Sequence, residues 1–149
     1  MQEENVYLAF YKPEAPLSWW HKMIQFFDKS EYTHVEIAIP NGDTYDCYSS
    51  SHTDGGVRKK AITLKSDKWT LIELKNVNAN SIRAKFRYEE GKKYDYLGLI
   101  STRLNFLPSN QNKWFCSELC AGLLGLSRPH NYGIRKIYQY ALNNQKITK

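Results

Sequence analysis

The chain has 149 residues, the size of a single domain with one hydrophobic core. Its 42% hydrophobic and 14% aromatic content argues against disorder, and no apolar stretch approaches the roughly 18 residues that cross a bilayer as a helix. Twenty-one basic against fifteen acidic residues leave a net charge of +6 spread over "VRKKAITLK", "IRAKFR", "EEGKK" and "GIRKIYQ". That predicts a positive surface suited to nucleic acid, lipid headgroups or cell-wall polymers, without choosing among them. The start, "MQEENVYLAF", lacks a basic segment leading into a long apolar run, so the expectation is a cytoplasmic chain without a signal peptide. Three cysteines, an odd count, agree with a reducing compartment.

In chain order, residues 5–12, "NVYLAFYK", form a β-branched and aromatic run that Pro13 ends, the pattern of a strand. From Ser18 to Lys29, Trp20, Ile24 and Phe27 recur at helical spacing behind a Ser18 cap. "THVEIAI", residues 33–39, alternates cleanly, with Val35, Ile37 and Ile39 on one face and His34, Glu36 and Ala38 on the other. "PNGD" then turns the chain into "DTYDCYSS", a β-hairpin signal. Strands are expected at 57–64 and 68–75, and a helix from Ser81 to Glu90 that Gly91 closes. "YDYLGLISTRL" begins another helix, which the turn residues of "LPSNQN" interrupt. Two more helices span about 116–126 and 134–142. Strand, helix, strands, then helices predict an α+β domain with an antiparallel sheet, spanning residues 1–149.

"NKWFCSELCAG", residues 112–122, carries two of the three cysteines. A disulfide between Cys116 and Cys120, one helical turn apart, would be strained. Zinc would need about four ligands, from Cys47, Cys116, Cys120 and one of His34, His52 or His130, without the usual two-residue spacer. Buried free Cys is the ordinary alternative. Cys116 differs from Cys120 in standing where loop becomes helix, where the dipole and free N–H groups favour a thiolate. Cys120, a turn further on, faces the core.

A thiolate at a helix start needs an imidazole to exchange protons with. His21 lies on the first helix, and His52 and His130 lie in loops, where exposure is the default. His34 opens the cleanest strand. The group that orients the imidazole depends on the hairpin register. A three-residue Pro40-Asn41-Gly42 turn would pair Glu36 with Asp46 and cluster both with His34, whereas a two-residue turn would move Asp46 to the other face.

"YTHVEIAI", "DTYDC", "GKKYDYLGL" and "WFCSEL", in that order over residues 30–127, resemble the circularly permuted branch of the NlpC/P60 papain-like superfamily. That branch includes YiiX-like proteins and lecithin:retinol acyltransferase type enzymes. The resemblance implies a papain-like fold and a thiol mechanism that needs no cofactor or metal. Cys116 would be the nucleophile, His34 the general base and acid, and Asp46 the orienting residue, with Glu36 in reserve. The implied substrates are peptide or amide bonds, cell-wall peptide among them, or acyl esters of lipids. The absence of an export signal would suit a bacterial or phage-encoded enzyme. Glu118 would complement the helix start, Tyr94 and Tyr96 would pack between helix and sheet, and Asp95 would cap the following helix. The competing class is a nucleic-acid-binding module, for which "IRAKFRYEEGKKY" is the best segment, but its interleaved acids and the lack of a recognised motif weigh against it.

Overall fold

The alternating segment at 33–39 becomes β2 (His34–Asn41), the third strand across a seven-stranded sheet. The structure, a computed structural model, describes residues 3–95 and 113–147. The other strands are β1 (Tyr7–Tyr11), β3 (Thr44–Ser51), β4 (Gly56–Ile62), β5 (Trp69–Glu73), β6 (Lys93–Tyr94) and β7 (Lys113–Trp114). Their order is β5-β1-β2-β3-β4-β6-β7, antiparallel at every step except the parallel β6–β7 pair. The helices described are α1 (Trp19–Asp28), α2 (Ala79–Glu89), α3 (Cys116–Leu123) and α4 (Ile134–Asn143). The chain is therefore a mixed α+β protein, as its element order predicts.

Local signals explain most boundaries. Ser18 Oγ accepts from the His21 N–H, capping α1, and Lys29 ends the helix in the left-handed region. Asn78 Oδ1 accepts from the Ser81 N–H, which starts α2 two residues earlier than the periodicity predicts. α3 stops at Leu123, short of the expected 126, because Gly125 takes φ +76° and turns the chain. Of "YDYLGLISTRL", Tyr94 ends β6 and Asp95 follows it; the rest of the helix expected there, Tyr96 included, and the "LPSNQN" interruption lie outside the described residues.

Val35, Ile37 and Ile39 of β2 and Tyr48 of β3 belong to the main core, with Phe115, Leu119 and Leu123 at α3 and Ile134, Ile137 and Ala141 of α4. Ala9, Ala38 and Cys47 form a smaller buried cluster, over which Tyr7, Tyr45, Trp69 and Leu71 pack. Both sides of β2 are thus covered, which is why Glu36 and Ala38 are as buried as Val35, Ile37 and Ile39.

β6 lies against β4 at a single close point. Gly56 has φ +148°, and a Cβ there would sit 2.0 Å from the Lys92 carbonyl oxygen, so only glycine lets the two backbones approach. Replacing Gly56 by Ala is expected to cost at least about 2 kcal/mol, since the strained φ and the backbone collision act together. A fall in the urea midpoint of unfolding with an unchanged slope is the measurement that checks it.

Candidate active site

The hairpin register decides which acid meets His34. The turn is the two-residue Gly42-Asp43, with Asn41 opposite Thr44, so Asp46 pairs with Ile39 and shares its face. This corrects the three-residue turn on which Asp46 would have joined His34. Asp46 instead accepts from Asn41 Nδ2 at 3.3 Å and lies 3.7 Å from Lys59 Nζ, on the side of the strand away from His34. Because side chains alternate with a period of two, this odd shift in pairing, which brings Asp46 opposite Ile39 instead of Glu36, moves the whole strand's pattern to the opposite face.

Glu36 takes the orienting place. Two residues along β2 from His34, it projects to the same side, and its Oε2 contacts His34 Nε2 in a short hydrogen bond. Glu36 is 0% exposed. A buried carboxylate needs cationic partners, and it has a second in Arg58 of β4, whose Nη1 and Nη2 donate to Oε1 at 2.5 Å and Oε2 at 2.8 Å. β3 lies between them and presents Ser49 opposite Arg58, a side chain small enough for the guanidinium to pass over. Arg58 Nε donates in turn to Asp54 Oδ2 at 2.9 Å.

At the other end of this chain of contacts Cys116 neighbours His34, and its thiol raises the affinity of the imidazole for a proton. Cys116 opens α3 and is 1% exposed, whereas 20% of the His34 side chain is exposed. The start of α3 is fastened independently. Ser50 Oγ donates to the Trp114 carbonyl at 2.5 Å, and Ser117 Oγ to the Tyr132 carbonyl at 2.7 Å. Glu118 Oε2 accepts from the Phe115 N–H, the half of a capping box the sequence pattern anticipates. Cys120 is fully buried behind Cys116, with its Sγ 3.8 Å from the Val35 carbonyl.

Sequence reasoning missed Arg58, Asp54 and His130. Arg58 is one of three consecutive basic residues, and only its place opposite Ser49 separates it from Lys59 and Lys60; the four-residue step from Asp54 was the available signal. His130 lies in a short 3-10 helix, Pro129–Asn131, rather than in the loop expected, and is only partly exposed. It stacks on Trp114 with ring centroids 4.4 Å apart and meets Glu118 Oε2 at 3.1 Å. Burial raises the Glu118 carboxyl above its ordinary range, and His130 offsets part of that rise. Asp95 is buried beside β7, its N–H donating to the Trp114 carbonyl.

A cleft of about 360 Å³ opens on His34, Glu36 and Arg58. Trp20, His21, His52, Trp69 and Tyr94 are among its walls, and His21 Nδ1 is fixed by Thr33 Oγ1 at 2.8 Å. Three neighbouring imidazoles repel one another when charged. Burial, and then that repulsion, hold His21 and His52 below the ordinary histidine value. His34 behaves oppositely. Burial alone would lower it, but Glu36 and Cys116 outweigh burial and push it up to about 10. Burial would likewise raise Glu36, but His34 and Arg58 hold it below the ordinary carboxylate value. Burial pushes the Cys47 and Cys120 thiols up, so both stay protonated near neutrality. Among the described residues no group of three or more His, Cys, Asp or Glu could hold a metal ion, and no helix is long and apolar enough to cross a membrane.

The two shifts fix how stability varies with pH. His34 binds its proton more tightly folded than unfolded, so its contribution is complete below about pH 6.5 and is lost as pH rises toward about 10. Glu36 is the reverse, contributing above its unfolded value of 4.5 and losing that contribution as pH falls. Imidazole NMR should find His34 still protonated at pH 8, with a midpoint far above 6.5. Glu36→Gln should bring that midpoint down, and Asp46→Asn should leave it in place. A native His34 midpoint near 6.5 would refute this reading of the site.

No protein-family model matches the sequence, and no significant match to it is found among curated proteins.

Proposed function

We propose that the chain is a cysteine hydrolase with a papain-like arrangement, acting through Cys116, His34 and Glu36 and a thioester acyl-enzyme. The observation that carries this reading is a thiol at a helix start beside an imidazole whose proton affinity it raises, with that imidazole hydrogen-bonded to a buried carboxylate. Nucleophile, base and orienting group in mutual reach are what acyl transfer requires, and the order in the chain, with the strand histidine before the helix cysteine, agrees with the permuted NlpC/P60 resemblance.

In the proposed reaction Cys116 Sγ attacks the carbonyl carbon as a thiolate, its proton held on His34. The carbonyl π pair moves to oxygen, where backbone N–H groups in the first turn of α3, which have no intrahelical acceptor, can meet the negative charge. As that pair returns, the C–N bond breaks and the leaving nitrogen takes the His34 proton. Acylation also removes the thiolate charge that helps hold this proton, so His34 releases it more readily at the step that needs it. Neutral His34 then takes a proton from water, hydroxide attacks the thioester, and the acid leaves as the Cys116 thiolate re-forms. Glu36 keeps Nε2 occupied and the ring fixed throughout.

The resemblance makes cell-wall peptide amides the first substrates to assay and acyl esters of lipids the second. A substrate panel followed by intact mass should reveal an acyl adduct on Cys116. Turnover should fall by a factor on the order of 10⁴ or more in Cys116→Ala and by roughly 10² or more in Glu36→Gln, and should persist in Asp46→Asn. Among thiols, a small electrophile such as iodoacetamide should modify Cys116 in the native protein while sparing Cys47 and Cys120. Modification of Cys47 or Cys120 in preference to Cys116, or hydrolysis that survives Cys116→Ala, would overturn the reading.

A further inference from the structure

Arg58 hydrogen-bonds Asp54 and Glu36 rather than Cys116 or His34, yet the carboxylate that orients His34 is held on both oxygens by its guanidinium. The Oε2 atom is shared, accepting at once from His34 Nε2 and from Arg58 Nη2. A shared oxygen divides its electron density between two cations, so each is held less tightly than it would be alone. Arg58 is itself fixed by Asp54 through Nε, which leaves the two terminal nitrogens aimed at Glu36. We infer that Arg58 is a positioning residue of this site: it fixes both oxygens of Glu36 and, by its charge, keeps that carboxylate from holding the His34 proton too tightly to be transferred. The inference rests on the reading of Cys116 and His34 as the reacting pair, but its electrostatic part can be measured without turnover.

The charges facing His34 are few and of known sign. Glu36 from β2 and Cys116 from α3 favour its protonated form. His21 from α1, His52 from the β3–β4 connection and Arg58 from β4 oppose it when charged, while Asp54, beside Arg58, and Lys60 lie further along the same cleft. His21 and His52 are held below the ordinary histidine value and Lys60 is paired with Asp54 instead, so Arg58 is the standing positive charge that shares the Glu36 carboxylate with His34. Its removal therefore leaves the full carboxylate to His34. A proton held that way is given up more slowly to a leaving nitrogen, which lowers kcat while leaving KM little changed.

The experiment follows the His34 imidazole by NMR across pH in the native chain, Arg58→Gln and Arg58→Lys, each with Cys116 intact and with Cys116→Ala. Arg58→Gln should raise the His34 midpoint by about one unit, in line with the loss of one nearby like charge, and Arg58→Lys should restore it toward native. If Arg58→Gln does not fold, the comparison of Glu36→Gln with Glu36→Gln/Arg58→Gln replaces it. There the single variant leaves Arg58 to depress His34, and the double variant should titrate higher. Where turnover is found, the descending limb of the kcat profile should move to higher pH by the same amount. A midpoint unchanged on loss of Arg58, in folded protein and in both comparisons, overturns the inference. A midpoint that moves as expected in a protein that hydrolyses nothing supports the electrostatic role of Arg58 and sinks the proposed hydrolase instead.

Discussion

A carboxylate with no exposure to water is the constraint around which this site is built. Leaving one charge of such a buried cluster unpaired would cost about 3–5 kcal/mol, a large share of the stability of a domain this size. Glu36 therefore obliges two cations to come to it, His34 from its own strand and Arg58 from two strands away. Meeting that demand sets several other features. β3 must carry a small residue where the guanidinium crosses, β4 must be in the register that puts Arg58 opposite Ser49, and the loop before β4 must offer Asp54 to the remaining nitrogen.

The same charge sets the state of the histidine. An isolated imidazole so enclosed would be neutral at physiological pH; beside Glu36 it is a cation well into the alkaline range. A cation at a helix start that also presents backbone N–H groups makes that end of α3 favourable to negative charge from two directions, one side-chain and one main-chain. Glu118, two residues into the helix, turns its Oε2 to the Phe115 N–H and to His130.

Much of this was legible in the residues, for definite reasons. The alternation of "THVEIAI" put His34 and Glu36 on one face of one strand, and a strand's side-chain period admits no other arrangement. Cys116 was separable from Cys120 because loop composition gives way to helical composition at that point. Asp46 was misplaced because its expected partner followed from a turn at Pro40-Asn41-Gly42, whereas the chain turns at Gly42-Asp43, and a short run of turn residues does not decide between such positions. Arg58 and His130 were out of reach for another reason. Each is defined by a partner far off in the chain, Glu36 for one and Glu118 for the other, and local pattern carries no information about such contacts.

The serines that close β3 have a wider consequence. Ser49 Oγ donates to the Val35 carbonyl, next to His34, and Ser50 Oγ to the Trp114 carbonyl, two residues before Cys116. The histidine and cysteine ends of the site, far apart in sequence, are thus each tied by one hydroxyl to adjacent residues of a third strand. β3 works as a gauge block: the gap across which a proton would pass is set by a dipeptide that takes no part in the transfer. Drift in that dipeptide would detune the pair while both partners stayed intact, so a chain with Cys116 and His34 unaltered could still have lost the alignment between them.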